Sequence, residues 1–181
     1  MRIISGKYKG RSVEGYDIDG TRPTMDRVKE SLFAILQNKI IDSVCLDLFA
    51  GSGNLGLEAL SNGAKECYFV DNNKIAIEKI KKNIASIKVE EKNNIIYNDF
   101  KKAIEQFNKD NIKFDLIFLD PPYKDNLINL AINSINENNI LNKDGYIACE
   151  FENESIDVMD YSVIKEKKYG SKKIIILKKM Q

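Results

Sequence analysis

From Val44 onward the chain alternates short apolar runs with stretches of helical period, and that alternation narrows what it can fold into. Residues 44–49, 67–70, 95–97, 114–119 and 145–151 read as five strands. Residues 161–164 and 173–177, on either side of Tyr169-Gly170-Ser171, form a hairpin pattern. Between the strands lie helix-period segments. Leu55, Leu57, Ala59 and Leu60 make one; Ile75, Ile80, Ile84 and Ile87 share a face of a second; Leu127, Leu130, Ala131, Ser134 and Ile135 mark a third. Such alternation encodes a parallel sheet covered on both faces, here closed by an antiparallel hairpin. The expected class is a mixed, doubly wound α/β fold, and 181 residues hold one such domain. No apolar run approaches the roughly 18 to 20 residues of a membrane span. The first residues lack the apolar stretch of a secretory signal, so a cytoplasmic protein is expected.

The first forty residues stand outside the alternation. Residues 2–4 and 11–13 read as two short strands joined by the basic turn from Gly6 to Gly10. Thr21-Arg22-Pro23-Thr24 then leads into a helix with Thr24 as N-cap and Val28, Leu32, Ile35 and Leu36 as its apolar stripe. Arg27 and Lys29 fall off that stripe and are expected to face something else. The reading therefore divides the chain into an N-terminal extension of a short hairpin plus a helix, residues 1–40, and a main domain, residues 41–181.

Absent residue types remove whole classes of chemistry. There is no histidine, which excludes His-based triads and bases and most zinc sites, and no metal is expected. Cys45, Cys67 and Cys149 are far apart in apolar runs and read as buried thiols of a reducing compartment. The net charge of +1 hides an uneven distribution. Residues 1–40 hold eight basic residues against five acidic, and residues 161–181 hold seven against one, around an acidic middle. Basic ends suit either solvated lysines or a surface for a polyanion.

After the first strand comes Gly51-Ser52-Gly53-Asn54-Leu55-Gly56, a GxGxxG opening a helix, with Asp71 at the end of the next strand. This is the nucleotide-binding βαβ pattern, in which glycines let the backbone approach a ligand and the acid accepts from a ribose diol. Asp47 lies inside the first strand and Asp99 ends the third. An acid beside the loop repels a pyrophosphate but suits the ammonium and sulfonium of S-adenosylmethionine. Asp99 is placed to accept from an adenine amino group, although a solvated strand-end acid and, for Asp47, a helix cap are the plainer readings.

The fourth strand runs into Asp120-Pro121-Pro122-Tyr123, at the strand end where open α/β sheets bind ligands. Paired prolines make a stiff corner without N–H donors. Such a corner suits methylation of an exocyclic amine on a base, whose lone pair is delocalised into the ring. Asp120 and the Pro121 carbonyl would accept the amine hydrogens, turning the lone pair toward a methyl donor, while Tyr123 stacks on the base.

Three segments carry a family resemblance: LDLFAGSGNLGLEAL at 46–60, DLIFLDPPY at 115–123, and the leader RIISGKYKGR with TRPTMDRVKESLF. Together with the tail KKYGSKKIIIL, the sequence resembles the RsmD-like bacterial 16S rRNA guanine-N2 methyltransferases. The resemblance implies a Rossmann-like class I S-adenosylmethionine-dependent methyltransferase fold with a small N-terminal extension. It implies S-adenosylmethionine held by Asp47, Gly51, Gly53, Asp71 and Asp99, and catalysis by Asp120, Pro121 and Tyr123. The implied substrate is one guanine of 16S rRNA in an assembled or partly assembled small ribosomal subunit, acted on by a monomer. The basic ends then acquire a use: Arg2, Lys7, Lys9 and Arg11, with the tail lysines, would hold RNA phosphates, and Arg22, Thr24 and Arg27 would lie beside the active site. Competing readings are an adenine-N6 or cytosine-N4 methyltransferase, a nicotinamide dehydrogenase, and a non-catalytic RNA-binding assembly factor.

Overall fold

The structure, a computed structural model, describes residues 1–15, 22–122 and 126–181, with the backbone alone for 22–25. Its elements run α1 (Arg22–Ile40), β1 (Val44–Asp47), α2 (Asn54–Ser61), β2 (Glu66–Asp71), α3 (Lys74–Ile87), β3 (Lys92–Tyr97), α4 (Phe100–Lys109), β4 (Phe114–Leu119), α5 (Leu127–Asn138), β5 (Leu141–Phe151), β6 (Tyr161–Tyr169) and β7 (Lys172–Lys179). Seven strands form one sheet in the order β3-β2-β1-β4-β5-β7-β6. β1 to β5 are parallel, and β7 pairs antiparallel with both β5 and β6. The strand order reverses between β1 and β4, which opens a crevice above their carboxyl ends.

The pleat sends successive strand residues to opposite faces, so the sheet divides two cores. Cys45, Leu116, Phe118, Ala148, Ile174 and Ile176 pack under α1, α2 and α3. Leu46, Ile117, Leu119, Ile147, Cys149 and Ile175 pack over α4 and α5. Ile3, Tyr8, Val13, Val28, Leu32 and Leu36 belong to the first of these cores, so the first forty residues share the main domain's interior. Among the described residues, no helix is long and apolar enough to cross a membrane.

Several local expectations are corrected. α4 falls between the third and fourth strands, where the sequence reading assigned no helix; Asp99 caps it and Ala103, Ile104 and Phe107 bury its inner face. On α3 the buried set is Ala76, Ile77, Ile80, Asn83 and Ile87, and Ile75 is 63% exposed. Ala76 takes the inward position one residue later, which the isoleucine count overlooked. On α5 Ile128 and Ile132 go inward and Leu130 faces out. α1 begins at Arg22, so Thr24 lies within its first turn instead of capping it. Lys29 is not free to face outward: it is only 2% exposed.

The N-terminal hairpin is held around the Arg2–Ser12 bridge by Ile3 N–H donating to Arg11 O at 2.9 Å, Gly10 N–H to Ile3 O at 2.8 Å and Val13 N–H to Met1 O at 2.8 Å. Its turn docks on the carboxyl ends of α2 and α3. Lys7 N–H donates to Ser61 O at 2.8 Å, Tyr8 N–H to Ser61 Oγ at 2.9 Å, and the Arg11 guanidinium to Ile87 O. In a parallel sheet those helix ends lie at the amino edge of the strands, a helix length away from the glycine loop.

Candidate active site

The glycine loop turns inward on two carboxylates. Asp47, the last residue of β1, is buried, and its Oδ2 accepts the Gly56 N–H of α2 at 3.0 Å. Asp71, ending β2, accepts the Gly51 N–H at 2.9 Å on Oδ2 and the Asn73 N–H at 2.9 Å on Oδ1. Gly53 N–H donates to Ala50 O at 2.8 Å. The amides of Gly51, Gly53 and Gly56 thus all donate to protein oxygens, two of them to carboxylates, and do not lie open to a phosphate. The helix role foreseen for Asp47 is real, since Gly56 lies in the first turn of α2. Burial first, and then the charge of Asp71, push the Asp47 carboxyl up to about 7, against the opposing Gly56 hydrogen bond.

Two glycines are dictated by geometry. Gly51 has φ +56°, and a side chain there would meet nothing within 4 Å, so the loop borders open space. Gly56 lets α2 lie against β2: a Cβ there would sit 2.3 Å from Phe69 Cε1 and 2.9 Å from Cys67 Sγ. This open, acid-lined cradle fits a ligand with a ribose diol and a cationic end better than it fits a diphosphate.

Asp99 caps α4, its Oδ1 accepting from Lys101 N–H at 3.0 Å and Lys102 N–H at 3.3 Å. Its other oxygen makes no hydrogen bond among the described residues. Beside it Phe100 packs on Phe49 with ring centroids 5.2 Å apart, forming an apolar wall at the carboxyl edge.

Asp120 follows β4 directly, half-buried, with Pro121 buried after it and Pro122 exposed. Asp47 is the register partner of Phe118, so Asp120 stands two residues further along the strand next to β1, across the switch point. Tyr123 lies outside the described residues. A charge pair that the sequence reading missed adjoins this corner: Lys172 Nζ of β7 lies 3.0 Å from Glu150 Oε1 of β5, and the two residues are 6% and 8% exposed. The Asp120 carboxyl is pushed well above the usual carboxylate range by burial first and then by the Glu150 carboxylate. Lys172 opposes this and Asp47 adds to it. No local signal marked the pair: Lys172 is one of four lysines in β7, and Glu150 stands 22 positions away on β5.

The expected RNA-contacting residues divide between two ends of the molecule. Lys7 pairs with Glu90 at 2.8 Å and Glu91 at 3.0 Å, and hydrogen bonds with those carboxylates raise its pKa further. Arg11 lies over the Tyr8 ring, 5.0 Å from its centroid. Both sit at the amino edge with exposed Lys9, whereas exposed Arg2 lies nearer the start of α2, its carbonyl accepting from the Lys29 ammonium that also reaches Asn54 Oδ1. Arg22 and Thr24 belong to the first turn of α1, which points to the carboxyl edge because Ile40 leads into β1 at the amino edge. Exposed Arg27, one turn further along α1, joins Ser31, Lys167 and Tyr169 in lining a groove of about 470 Å³.

Residues 1–178 match the family described as "Conserved hypothetical protein 95". The chain belongs to that family. It is 38% identical over 172 residues to ribosomal RNA small subunit methyltransferase D of Haemophilus influenzae, covering 94% of this chain and 89% of that one. The protein of the same name from Escherichia coli is 36% identical over 155 residues, covering 86% and 76%. The solved structure of yhhF from Escherichia coli superposes with a TM-score of 0.86 at 32% identity, covering 99% of this chain and 97% of that one. The family's fold is the Rossmann-like methyltransferase fold, so the doubly wound sheet with its closing hairpin is the architecture expected from sequence.

Proposed function

We propose that the protein transfers a methyl group from S-adenosylmethionine to the exocyclic N2 amine of a guanine in small-subunit ribosomal RNA. The observation that carries this reading is the position of Asp120, at the end of the strand next to Asp47 and across the crevice from the acid-lined glycine loop. Donor cradle and amine acceptor thus occupy adjacent strands, about 5 Å apart.

S-adenosylmethionine, when bound, supplies an electrophilic methyl carbon on a sulfonium. Asp71 would accept from its ribose hydroxyls, Asp47 would face its cationic end, and Asp99 with the Phe49–Phe100 wall would receive its adenine. Asp120 and the Pro121 carbonyl would accept the two amine hydrogens, so that the nitrogen lone pair points at the methyl carbon. Held there, the donor would yield its methyl group to the nitrogen, with the C–S electron pair returning to sulfur. The nitrogen would then carry a positive charge and give its proton to the Asp120 carboxylate. Alignment of amine, methyl and sulfur can supply about 7–11 kcal/mol in favourable cases. An amine paired inside a duplex is inaccessible, so the target is an unpaired or flipped base.

The names of the relatives support ribosomal RNA as the substrate class. The test is transfer of a tritiated methyl group to small subunits from a strain lacking the enzyme, followed by nucleoside analysis. N2-methylguanosine is expected; N6-methyladenosine or N4-methylcytidine would overturn the base assignment. A deletion phenotype fully rescued by Asp120→Ala would favour a non-catalytic assembly role.

A further inference from the structure

Asp120, Glu150 and Lys172 form a row across three neighbouring strands. Leu119 of β4 is the register partner of Cys149 of β5, so the next residue on each strand, Asp120 and Glu150, stand side by side. Glu150 in turn pairs with Ile174 of β7, two residues from Lys172. Phe118, Ala148, Ile174 and Ile176 all face the α1 side, and the pleat therefore sends Asp120, Glu150 and Lys172 to that same side. Two carboxyl groups are thus adjacent at a buried sheet end, with one ammonium 3.0 Å from the outer of them.

Taking the reaction proposed above as given, we propose that Glu150 and Lys172 are positioning residues for methyl transfer: the ion pair between them decides whether Asp120 stands as the carboxylate the amine needs. Like charges on adjacent strands cannot both ionise cheaply in a buried site. With Lys172 in place, Glu150 holds the ammonium and Asp120 can release its proton. Without Lys172, the two carboxyls share one charge and the proton stays where the amine must bind. The groups facing Asp120 among the described residues are Glu150 from β5, Lys172 from β7 and Asp47 from β1. On α1 the nearby Lys29 is committed to Glu58, so it does not enter this balance.

The two halves of the pair should therefore act in opposite directions, which a merely structural ion pair would not do. The experiment measures single-turnover methylation of small subunits against pH, with S-adenosylmethionine binding followed separately by calorimetry. Lys172→Met should move the acid limb of the profile to higher pH, and Glu150→Gln should move it lower, each by about 1 to 2 pH units. Lys172→Arg should keep the wild-type profile. The double substitution should fall between the two single ones. It removes both buried charges, a change that is often neutral for stability. If Lys172→Met does not fold, the downward shift in Glu150→Gln decides alone. Rates that fall in both variants with no movement of the limb, or limbs that move the same way, overturn the inference while leaving the reaction standing. A wild-type enzyme that methylates no small subunit at any pH overturns both.

Discussion

The Lys29 ammonium of α1 lies 3.0 Å from the Glu58 carboxylate of α2, and the two side chains are 2% and 0% exposed. The same ammonium donates to Arg2 O at 2.7 Å and to Asn54 Oδ1 at 2.8 Å. Glu58 accepts the N–H groups of Ile4 at 3.1 Å and Ser5 at 3.0 Å. One buried pair thus ties the N-terminal hairpin and α1 to the helix that opens from the glycine loop. Lys29→Met strands an uncompensated carboxylate and should cost about 3–5 kcal/mol, measured by urea unfolding. Replacing both partners, Lys29→Met with Glu58→Gln, should cost clearly less than the single change.

Asp120→Ala removes the acceptor without touching the acids that line the cradle. Turnover should fall by several orders of magnitude, with S-adenosylhomocysteine affinity within a few-fold of wild type by calorimetry. Activity within a few-fold of wild type would refute the role given to Asp120.

Asp47 predicts a pH dependence whose sign follows from its environment. Its carboxyl stands at about 7 in the folded chain, above the roughly 4 of an unfolded aspartate. The folded state therefore holds its proton longer, and this contribution to stability is present below about pH 4 and lost as pH rises through about 7. Asp47→Asn should abolish that loss, leaving the variant relatively more stable at pH 8 than at pH 5. A cationic donor favours the ionised form, so wild-type affinity for S-adenosylmethionine should rise as pH increases toward 8. Asp47→Asn should bind weakly with a flat profile.

The placement of the basic residues separates two surfaces. Arg27→Gln with Lys167→Gln, in the groove between α1 and β6, should weaken RNA binding and reduce its salt slope by about one unit per lost phosphate contact. Lys7→Gln with Arg11→Gln, at the amino edge, should leave the slope unchanged, because their charges are engaged by Glu90, Glu91 and the Ile87 carbonyl. The reverse outcome would put the RNA on the hairpin turn.

How much of this was legible in the residues depends on range. β4 was readable to the residue because an apolar run broken only by Asp115 stops at Asp120 and two prolines, and the glycine loop was readable from local spacing. α4 was legible, since Phe100, Ala103, Ile104 and Phe107 stand at helical spacing, but the sequence reading passed over it. Asp99 was read for a ligand and not also as the N-cap that it is. Lys29, Glu58, Glu150 and Lys172 were invisible for a different reason. Charged residues are buried only when a partner meets them, and these partners are 29 and 22 positions apart, a distance that no local pattern spans. Lys7 and Arg11 are the mirror case, cations whose acidic or carbonyl partners come from far along the chain.

Among the described residues β6 bonds to β7 along one side alone, and its residues from Ser162 to Lys168 are exposed. An unpaired border of that kind is a template on which a second molecule's backbone could continue the ladder. Here it carries Lys165, Lys167 and Lys168 and a register break after Val163, so two such borders brought together would repel and fail to align. The lysines that face a nucleic acid in this reading would also guard the protein against stacking into fibrils.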